Sequence, residues 1–392
     1  MPRRFGARIA FFYAASFLVS GIVVPFLPVW LKERGFTPQE LSACLAFPLA
    51  ARLIAAPLAG WLADRAPNRR MAIIFLAALA LSLFVPAMLA GSVPAVLVLT
   101  GLAVTAWQTI QPAIDALSLT GVRRFGLDYG RLRVWGSISF VATSLVGGAL
   151  FGHFGAPIIG LLILGAHIAC LLAAFALPVP PPLVAQAVSA PFRPRQGVRA
   201  VLLSPPFLVI AASTGLIQAS HGLFYSFSTL QWEQLGFSGT QIGFLWATGV
   251  IAEIVMFAIS KRFRRVKAEH LILAGALAAL LRWSLIPLVA TFLPSLFLQA
   301  LHAFTFGASF VGMQLAIMRT VPEEMTAQAQ GICMMTAGAL TALTTLMSGP
   351  LYAAYGADAF WYMTIFAALA AAIVLAGPLI VSVSPKAPGQ VE

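Results

Sequence analysis

Between two long apolar runs, at roughly 40–62 and 71–91, lies the basic stretch Gly60-Trp61-Leu62-Ala63-Asp64-Arg65-Ala66-Pro67-Asn68-Arg69-Arg70. An apolar run of about 20 residues is long enough to cross a bilayer as a helix. The stretch is only long enough to turn the chain. It therefore predicts a tight loop between two antiparallel membrane-spanning helices.

The same alternation of apolar runs and short loops continues along the chain, which is 60% hydrophobic and only 9% charged. This composition excludes an ordinary soluble domain. We predict an all-α integral membrane protein with twelve membrane-spanning helices. The apolar runs lie at roughly 7–31, 40–62, 71–91, 94–119, 131–152, 155–177, 203–232, 240–260, 269–291, 294–318, 326–353 and 358–382.

The basic residues lie almost entirely on one side of the predicted membrane. If the N-terminus is cytoplasmic and the spans alternate, the outer loops keep only Lys32 and Arg34. This positive-inside bias predicts a multi-pass protein of the cell (inner) membrane with both termini in the cytoplasm. The net charge of +12 then reflects topology and contact with anionic lipid, so a nucleic-acid partner is not expected.

The chain has no sequence pattern of an enzyme. Cys44, Cys170 and Cys333 are scattered singly in apolar runs, without the spacing of a metal or redox site. No phosphate-binding loop, no His/Cys ligand cluster and no paired carboxylates on one helix face occur in the sequence. We therefore expect no enzymatic activity, no cofactor and no metal.

A proline-rich interruption at about 178–200 divides the twelve runs into six and six. It predicts a semi-extended cytoplasmic linker between an N-terminal six-helix bundle (1–177) and a C-terminal bundle (201–392) with a short cytoplasmic tail. The loops Gly35-Phe36-Thr37-Pro38-Gln39-Glu40-Leu41 and Gly236-Phe237-Ser238-Gly239-Thr240-Gln241-Ile242 match at a constant offset of 201 residues. The match favours two pseudo-symmetric bundles of six helices.

The same offset pairs Arg52 with Glu253, near the middle of the second helix of each half. A charge at the bilayer centre costs about 3 kcal/mol on insertion scales, so it persists mainly where a partner or a water-filled path stabilises it. We expect both side chains to face a central cavity; coincidence with separate packing partners is the alternative. Six such ionisable residues together indicate a conduit for a polar or charged solute. They are Arg52, Asp115, Arg133, Glu253, Arg282 and His302.

The 60–70 loop resembles the signature loop of the major facilitator superfamily, Gly-x-Leu-Ala-Asp-Arg followed by a basic pair. The resemblance implies a gating role without solute contact for this motif, which includes Arg65. Gly60 would permit close helix approach, and Asp64 would meet a helix N-terminus or an arginine. Arg69 and Arg70 would anchor the loop at the inner leaflet. The equivalent stretch Ser260-Lys261-Arg262-Phe263-Arg264-Arg265 has lost the acidic residue.

Most of the chain is also similar to the 3-phenylpropionate transporter branch of that superfamily. The segments that carry this similarity are Leu127-Asp128-Tyr129-Gly130-Arg131-Leu132-Arg133-Val134-Trp135-Gly136, His221…Tyr225, Leu245-Trp246…Val250-Ile251-Ala252-Glu253, Leu281-Arg282-Trp283 and Leu301-His302-Ala303-Phe304. The wider relationship is to the lactose permease, an oligosaccharide/proton symporter. Two positions depart from the permease. Thr305 replaces a second carboxylate, and Phe140 replaces a tryptophan that stacks on sugar.

The permease pattern implies roles for the central residues. Asp115 and Arg133 would form a carboxylate–guanidinium pair that either contacts the solute or clamps two helices. Glu253 is the expected proton carrier, because burial favours its neutral form and a nearby guanidinium, expected from Arg282, favours the ionised form. His302 is the second titratable candidate.

The remaining expected site residues concern the solute itself. Arg52 is the expected counter-ion of an anionic solute, and Phe140, His221 and Tyr225 are expected in the binding wall. Ligand pockets combine a mostly apolar lining with a few polar anchors of this kind.

The sequence therefore predicts a monomeric, proton-coupled symporter that works by alternating access. Its solute would be an aromatic or other carboxylic acid such as 3-phenylpropionate, and its partners would be that solute, protons and the lipid bilayer. Two alternatives stay open on the same fold. One is a proton-coupled exporter of drugs or metabolites, and the other is a proton symporter of sugars or nucleosides.

Overall fold

The computed structural model describes residues 2–179, 201–322 and 325–383, and within them all side chains except those of 2, 62–64, 264, 327 and 378–383. The described chain is almost wholly helical and has no strand. Eleven segments are long and apolar enough to cross a membrane, and the last, Gln328–Gly377, contains two helices. The predicted all-α fold with twelve membrane-spanning helices is therefore confirmed. The helices are α1 (Pro2–Glu33), α2 (Pro38–Arg65), α3 (Arg69–Leu89), α4 (Val93–Gln108 and Ile110–Phe125), α5 (Tyr129–Phe154), α6 (Pro157–Phe175), α7 (Pro205–Ala219 and Gly222–Gln234), α8 (Gly239–Ile259), α9 (Ala268–Leu285), α10 (Phe292–Ala300 and Ser309–Thr320), α11 (Thr326–Tyr355) and α12 (Phe360–Val383).

The helices alternate in direction because short loops join them. One end of the molecule carries the loops at 34–37 and 235–238, and we call it the hairpin end. The opposite end carries Arg65, Arg123 and Arg262, and we call it the basic end. The predicted linker at 178–200 lies outside the described residues from position 180 onward, as does the tail beyond 383. The division into 1–177, 178–200 and 201–392 thus stays a prediction.

The 201-residue repeat has the same local geometry in both halves. At the start of α2, the Thr37 N–H donates to Glu40 Oε2 at 2.9 Å and the Glu40 N–H donates to Thr37 Oγ1 at 3.3 Å. Ser238 and Gln241 form the same capping box at the start of α8, with distances of 2.9 and 3.3 Å. Each box satisfies backbone donors that have no partner within the helix. Equivalent sequences therefore begin equivalent helices.

At the hairpin end the two halves touch through backbone atoms. Gly148 of α5 lies against the carbonyl oxygen of Gly239 of α8, and a Cβ on either glycine would overlap the other helix. Gly349 of α11 lies in the same way against the carbonyl oxygen of Pro38 of α2. The offset of 201 residues relates 148 to 349 and 38 to 239. The closure at this end is therefore two-fold symmetric.

A charge pair lies on the pseudo-twofold axis itself. Lys32 Nζ, at the end of α1, lies 3.4 Å from Glu233 Oε2, near the end of α7. These residues are 201 positions apart, so each contacts its own equivalent in the other half. Lys32 is exposed and Glu233 is partly exposed, and such surface pairs contribute about 0–1 kcal/mol. The pair therefore marks the axis more than it stabilises the fold.

Three helices are interrupted about half-way along their length. α4 breaks at Thr109, three residues before Pro112, which has no N–H to continue the helix. α7 breaks at Ser220 and His221, and α10 passes through a π-helical turn, Ala303–Ala308. Such breaks release backbone groups from the helix, and in transporters they commonly surround the binding site.

Candidate functional site

A cavity of about 390 Å³ lies between the two halves, beside the interruptions of α4, α7 and α10. We call it the central cavity. Helices α1, α2, α4 and α5 line it on one side, and helices α7 to α11 line it on the other. Six predicted site residues line the central cavity: Arg133, Phe140, Tyr225, Glu253, Arg282 and His302. Three others, Arg52, Asp115 and His221, do not.

Arg282 of α9 is fully buried and, among the described residues, has no carboxylate partner. Its Nη2 donates to Gln299 Oε1 at 2.7 Å, and its Nη1 contacts His302 Nδ1 at 3.3 Å and donates to Thr305 Oγ1 at 3.4 Å. Nε has no hydrogen-bond partner, and Cζ lies 4.3 Å from the ring centre of Phe224. Only neutral groups form hydrogen bonds with this guanidinium, so no direct ion pair offsets its charge within the described residues, and it makes the cavity wall electropositive.

The hydrogen bonds decide where His302 carries its proton. A guanidinium only donates, so Nδ1 of His302 accepts and the proton resides on Nε2, which lies 3.6 Å from Glu253 Oε2. His221 has the opposite tautomer. Its Nδ1 donates to the carbonyl oxygen of Ile217 at 2.9 Å, and its Nε2 accepts from the Thr305 hydroxyl at 3.0 Å. In this arrangement His302 is a neutral bridge between the carboxyl and the guanidinium.

Arg133 of α5 lines the central cavity and makes no hydrogen bond or ion pair with the described residues. Its Cζ lies 5.6 Å from the ring centre of Phe17, and the side chain is half-buried. The charged side chains that line the cavity, within the described ranges, are thus two guanidiniums, Arg133 and Arg282, and one carboxyl, Glu253. With the carboxyl ionised, two positive charges and one negative charge leave a net charge of +1.

The predicted ion pair between Asp115 and Arg133 is not formed in this structure. Asp115 Oδ1 accepts hydrogen bonds from Tyr13 OH at 2.6 Å, Tyr129 OH at 3.0 Å and Gln111 Nε2 at 3.0 Å. Two phenols and an amide therefore satisfy the carboxylate, and Arg133 remains directed to the cavity. The tyrosine of α1 lies 102 residues away in sequence, so spacing alone could not predict this contact.

Aromatic rings form much of the remaining wall. Tyr225 stacks with Trp246 at 6.3 Å between ring centres, and Phe224 lies 5.0 Å from the same indole. Trp246 Nε1 donates to Thr229 Oγ1 at 2.9 Å, which fixes the orientation of the ring. Phe140 lines the cavity from α5 on the other half. A flat apolar group in the cavity can thus contact aromatic rings from both halves.

The structure does not place His221 in contact with the cavity. The side chain is fully buried behind Tyr225, with 5.7 Å between the ring centres, and both of its nitrogens are already engaged. In this conformation His221 is therefore not placed to contact a solute in the central cavity, and it instead supports the position of Thr305. It holds the hydroxyl of Thr305, to which Arg282 also donates.

The expectation that Arg52 and Glu253 both face the central cavity is wrong for Arg52. Arg52 lines an adjoining cavity of about 290 Å³ on the side of the basic end. Its guanidinium extends toward the space left by Gly338 of α11, where an added Cβ would lie 3.5 Å from Arg52 Nη2. The guanidinium of Arg52 therefore lies beside α11, at van der Waals distance from the Cβ position of residue 338.

Arg69 and Arg70 of the predicted gating motif donate hydrogen bonds to other helices of their own half. Arg69 Nη1 donates to Thr120 Oγ1 of α4 at 3.4 Å, and Arg70 Nη2 donates to the carbonyl oxygen of Phe175 at the end of α6 at 2.5 Å. Arg65 Cζ lies 4.0 Å from the ring centre of Trp61. The side chain of Asp64 lies outside the described residues. Gly60 has open space where a Cβ would lie, so the expected close helix approach is not made here.

The chain is similar to known membrane transporters over most of its length. The model of the "MFS_1 like family" matches residues 7–363. The chain belongs to the MFS_1 like family. This MFS_1 like chain is 33% identical over 362 residues to the "Probable 3-phenylpropionic acid transporter" of Escherichia coli (strain K12), covering 91% of this chain and 93% of that protein. It is 32% identical over 277 residues to the "Maltose permease" of Geobacillus stearothermophilus, covering 69% of this chain and 68% of that protein.

A solved structure shows the same fold at lower sequence identity. The crystal structure of the nucleoside transporter NupG matches with a TM-score of 0.79 and 17% identity, covering 97% of this chain and 100% of that one. The family and the fold are those of the major facilitator superfamily. The MFS_1 like chain is therefore a multi-pass membrane transporter and not an enzyme.

Two polar residues at the centre were not foreseen as partners of Arg282. Gln299 lies on the first segment of α10 and Thr305 in its π-helical turn. Gln299 gives a weak signal in the sequence, as a polar residue three positions before His302 within an apolar run. The sequence has no comparable signal for the π-helical turn, which turns Thr305 toward the guanidinium.

Proposed function

We propose that this MFS_1 like transporter is a secondary active symporter that moves one aromatic carboxylate together with one proton. The observation that supports it most is the charge of the central cavity, where two guanidiniums face a single carboxyl. An ionised Glu253 competes with a bound carboxylate for the same cations and repels it. A protonated Glu253 does neither. Proton and anion therefore favour each other's binding, and this coupling is reciprocal.

Arg133 is the proposed anchor of the solute's carboxylate. It is the cavity-lining guanidinium without a protein hydrogen bond in the described ranges, and guanidinium–carboxylate contacts are strong and directional. Arg282 is held in place by Gln299 and supplies positive potential from the cavity wall. The ring of the solute would lie among Phe140, Tyr225 and their neighbours.

Glu253 is the proposed proton site, and His302 is the proposed bridge to it. His302 Nδ1 already accepts from the guanidinium of Arg282, so a proton on that nitrogen would break the contact. Protonation of Glu253 breaks no such bond. The imidazole ring of His302 instead places the carboxyl of Glu253 and the guanidinium of Arg282 on its two sides, so that the two groups interact electrostatically across it.

The positive-inside bias supports a cytoplasmic basic end and cytoplasmic termini in the inner membrane. The close contacts at the hairpin end then make this conformation closed to the outside. Alternating access would open the Gly148–Gly239 and Gly349–Pro38 contacts and close the basic end. We propose that the transporter works as a monomer, because each chain contains its own cavity.

The test is uptake of radiolabelled 3-phenylpropionate into proteoliposomes under an inward proton gradient, with the membrane potential clamped. Protein-free liposomes measure the leak of the neutral acid. Accumulation above that leak, abolished by a protonophore, is expected. A monoanion with one proton moves no net charge, so a potential of 100 mV, worth about 2.3 kcal/mol per charge, should add nothing. Protein-dependent uptake that ignores the proton gradient would contradict the proposal.

A neutral sugar is the second candidate, because one relative is named a maltose permease. The same vesicles are therefore tested with maltose and with 3-phenylpropionamide, which has the shape of the acid without its charge. The proposal expects neither to compete with the acid. Competition by both would indicate a site for neutral solutes. An exporter would exclude the acid from intact cells, whereas the proposed symporter accumulates it.

A further inference from the structure

The adjoining cavity of about 290 Å³ extends from the central cavity toward the basic end. We call it the second cavity. The two cavities share Leu49, Tyr225, Phe306 and Thr341 in their walls, so these side chains separate them. A solute that leaves the centre toward the basic end would pass this partition.

The donors in the second cavity are suited to an anion. Arg52 and Gln218 line it, and neither side chain has a hydrogen bond or ion pair with a described residue. The hydroxyls of Thr214, Ser309 and Thr341 each donate to a carbonyl oxygen of their own helix. No acidic residue lines the second cavity in the described ranges. The free donors are therefore a guanidinium and an amide, which together match a carboxylate.

We propose that the second cavity is a second binding station for the carboxylate of the solute, held by Arg52 and Gln218 on the path to the basic end. This inference rests on the proposed function, which supplies the anionic solute. Without a second cation, the carboxylate would have to leave Arg133 for a partition that carries no positive charge. Because Arg52 lies beyond the partition, the carboxylate passes from the guanidinium of Arg133 to that of Arg52.

The 201-residue repeat relates the proposed second station to the proposed proton site. Arg52 is the equivalent of Glu253 under the 201-residue offset. Equivalent positions in the two halves thus serve the two transported ions, the anion at Arg52 and the proton at Glu253. Gly338 lines the same cavity, and the guanidinium lies close to it beside α11.

Two native cysteines make the stations separately measurable. Cys44 lines the central cavity and Cys333 lines the second cavity. One protein keeps only Cys333, with Cys44→Ser and Cys170→Ser. The other keeps only Cys44, with Cys170→Ser and Cys333→Ser. The rate of modification by methyl methanethiosulfonate is followed by intact mass, with and without 3-phenylpropionate.

We expect 3-phenylpropionate to slow the modification of both cysteines. Adding Arg52→Gln should remove the protection of Cys333 and leave that of Cys44. Protection of Cys44 alone in the otherwise unchanged protein overturns the second station, and so does protection of Cys333 that persists in Arg52→Gln. If neither cysteine is protected, the proposed solute itself fails, which is a different outcome.

A second variant avoids removal of the charge. Gly338→Leu fills the second cavity while Arg52 is retained. Equilibrium binding of 3-phenylpropionate should stay within a few-fold, because the central cavity is unchanged. Efflux should fall by at least about tenfold, because the filled cavity keeps the carboxylate from Arg52 and a charged hydrogen bond is worth at least that factor. Arg133→Gln is the opposite control, since it should lose binding itself. Unchanged efflux in Gly338→Leu would overturn the proposal.

Discussion

Replacing Glu253 with glutamine should separate exchange of the solute from its net transport. The substitution keeps the size of the side chain and removes its negative charge. The empty cavity then holds two guanidiniums without any carboxylate. A cavity loaded with a monoanion keeps the charge of +1 that it has when Glu253 is protonated. The step that suffers should be the return of the empty carrier.

The size of the effect follows from two contacts. Glu253 Oε2 lies 3.6 Å from one side of the His302 ring, and Arg282 Nη1 lies 3.3 Å from the other. The carboxylate and the guanidinium are thus at most about 9 Å apart, and at an effective dielectric constant near 20 they attract by roughly 2 kcal/mol. Loss of that attraction should slow the return of the empty carrier about 20- to 30-fold.

The assay compares two modes in the same proteoliposomes. Net efflux of labelled 3-phenylpropionate into solute-free buffer requires the empty carrier to return. Exchange at equal concentrations on both sides does not. Glu253→Gln should lower net efflux about 20- to 30-fold and make the rate of net efflux independent of pH. The rate of exchange should stay within a few-fold of that of the unchanged protein. Glu269→Gln, at an exposed carboxyl in the first turn of α9, is the matched control and should change neither mode.

Two results would refute this reasoning. If exchange falls as far as net efflux, Glu253 contributes to solute binding or to folding, and the charge balance is not what it controls. If net efflux is unchanged, the uncompensated charge does not limit the return step.

Three further predictions concern the same machinery. Arg133→Gln should weaken equilibrium binding of 3-phenylpropionate about 10- to 100-fold, as expected for loss of a charged hydrogen bond, whereas Arg131→Gln on the exposed face of the same helix should not. Equal losses of binding in the two variants would contradict the role of Arg133 as the anchor of the carboxylate. His302→Gln should keep gradient-driven uptake better than His302→Leu, because an amide can accept on one side and donate on the other; loss of gradient-driven uptake in both, with exchange intact, would place the proton on the histidine. Gly148→Leu should block closure at the hairpin end, so that solute binding survives and transport in proteoliposomes is lost. Gly165→Ala adds a Cβ that meets no atom within 4 Å and should leave transport unchanged. Normal transport in Gly148→Leu would show that the backbone contact is dispensable.

The fold could be predicted because its signals are local. Hydropathy predicts each helix from its own residues, and the arginines near helix ends predict their arrangement across the membrane. The capping boxes at Thr37 and Ser238 follow from four residues each. The break in α4 also has a local cause in Pro112, although the apolar run conceals it. Each of these features depends on neighbours within one or two helical turns.

The pairing of side chains could not be predicted in the same way. Asp115 has three partners on three helices, and one of them, Tyr13, lies 102 residues earlier in the chain. Resemblance to the permease suggested a cation for this carboxylate, but phenols take that place. The offset correctly paired Arg52 with Glu253 in sequence. It could not show that the arginine lines a different cavity beside Gly338, because that cavity is formed in part by a helix nearly 300 residues away.

The contact between Lys32 and Glu233 bears on how such a chain came to be. A residue on a two-fold axis of two identical subunits faces its own copy, because the interface is isologous. Two lysines or two glutamates at that place would repel each other. A charge pair on the axis is therefore impossible in a symmetric homodimer of six-helix units. It becomes possible once each unit has its own sequence and can mutate alone, as the two halves of one polypeptide can. That independence permits opposite charges on the axis, and it equally permits Arg52 and Glu253 to differ at equivalent positions.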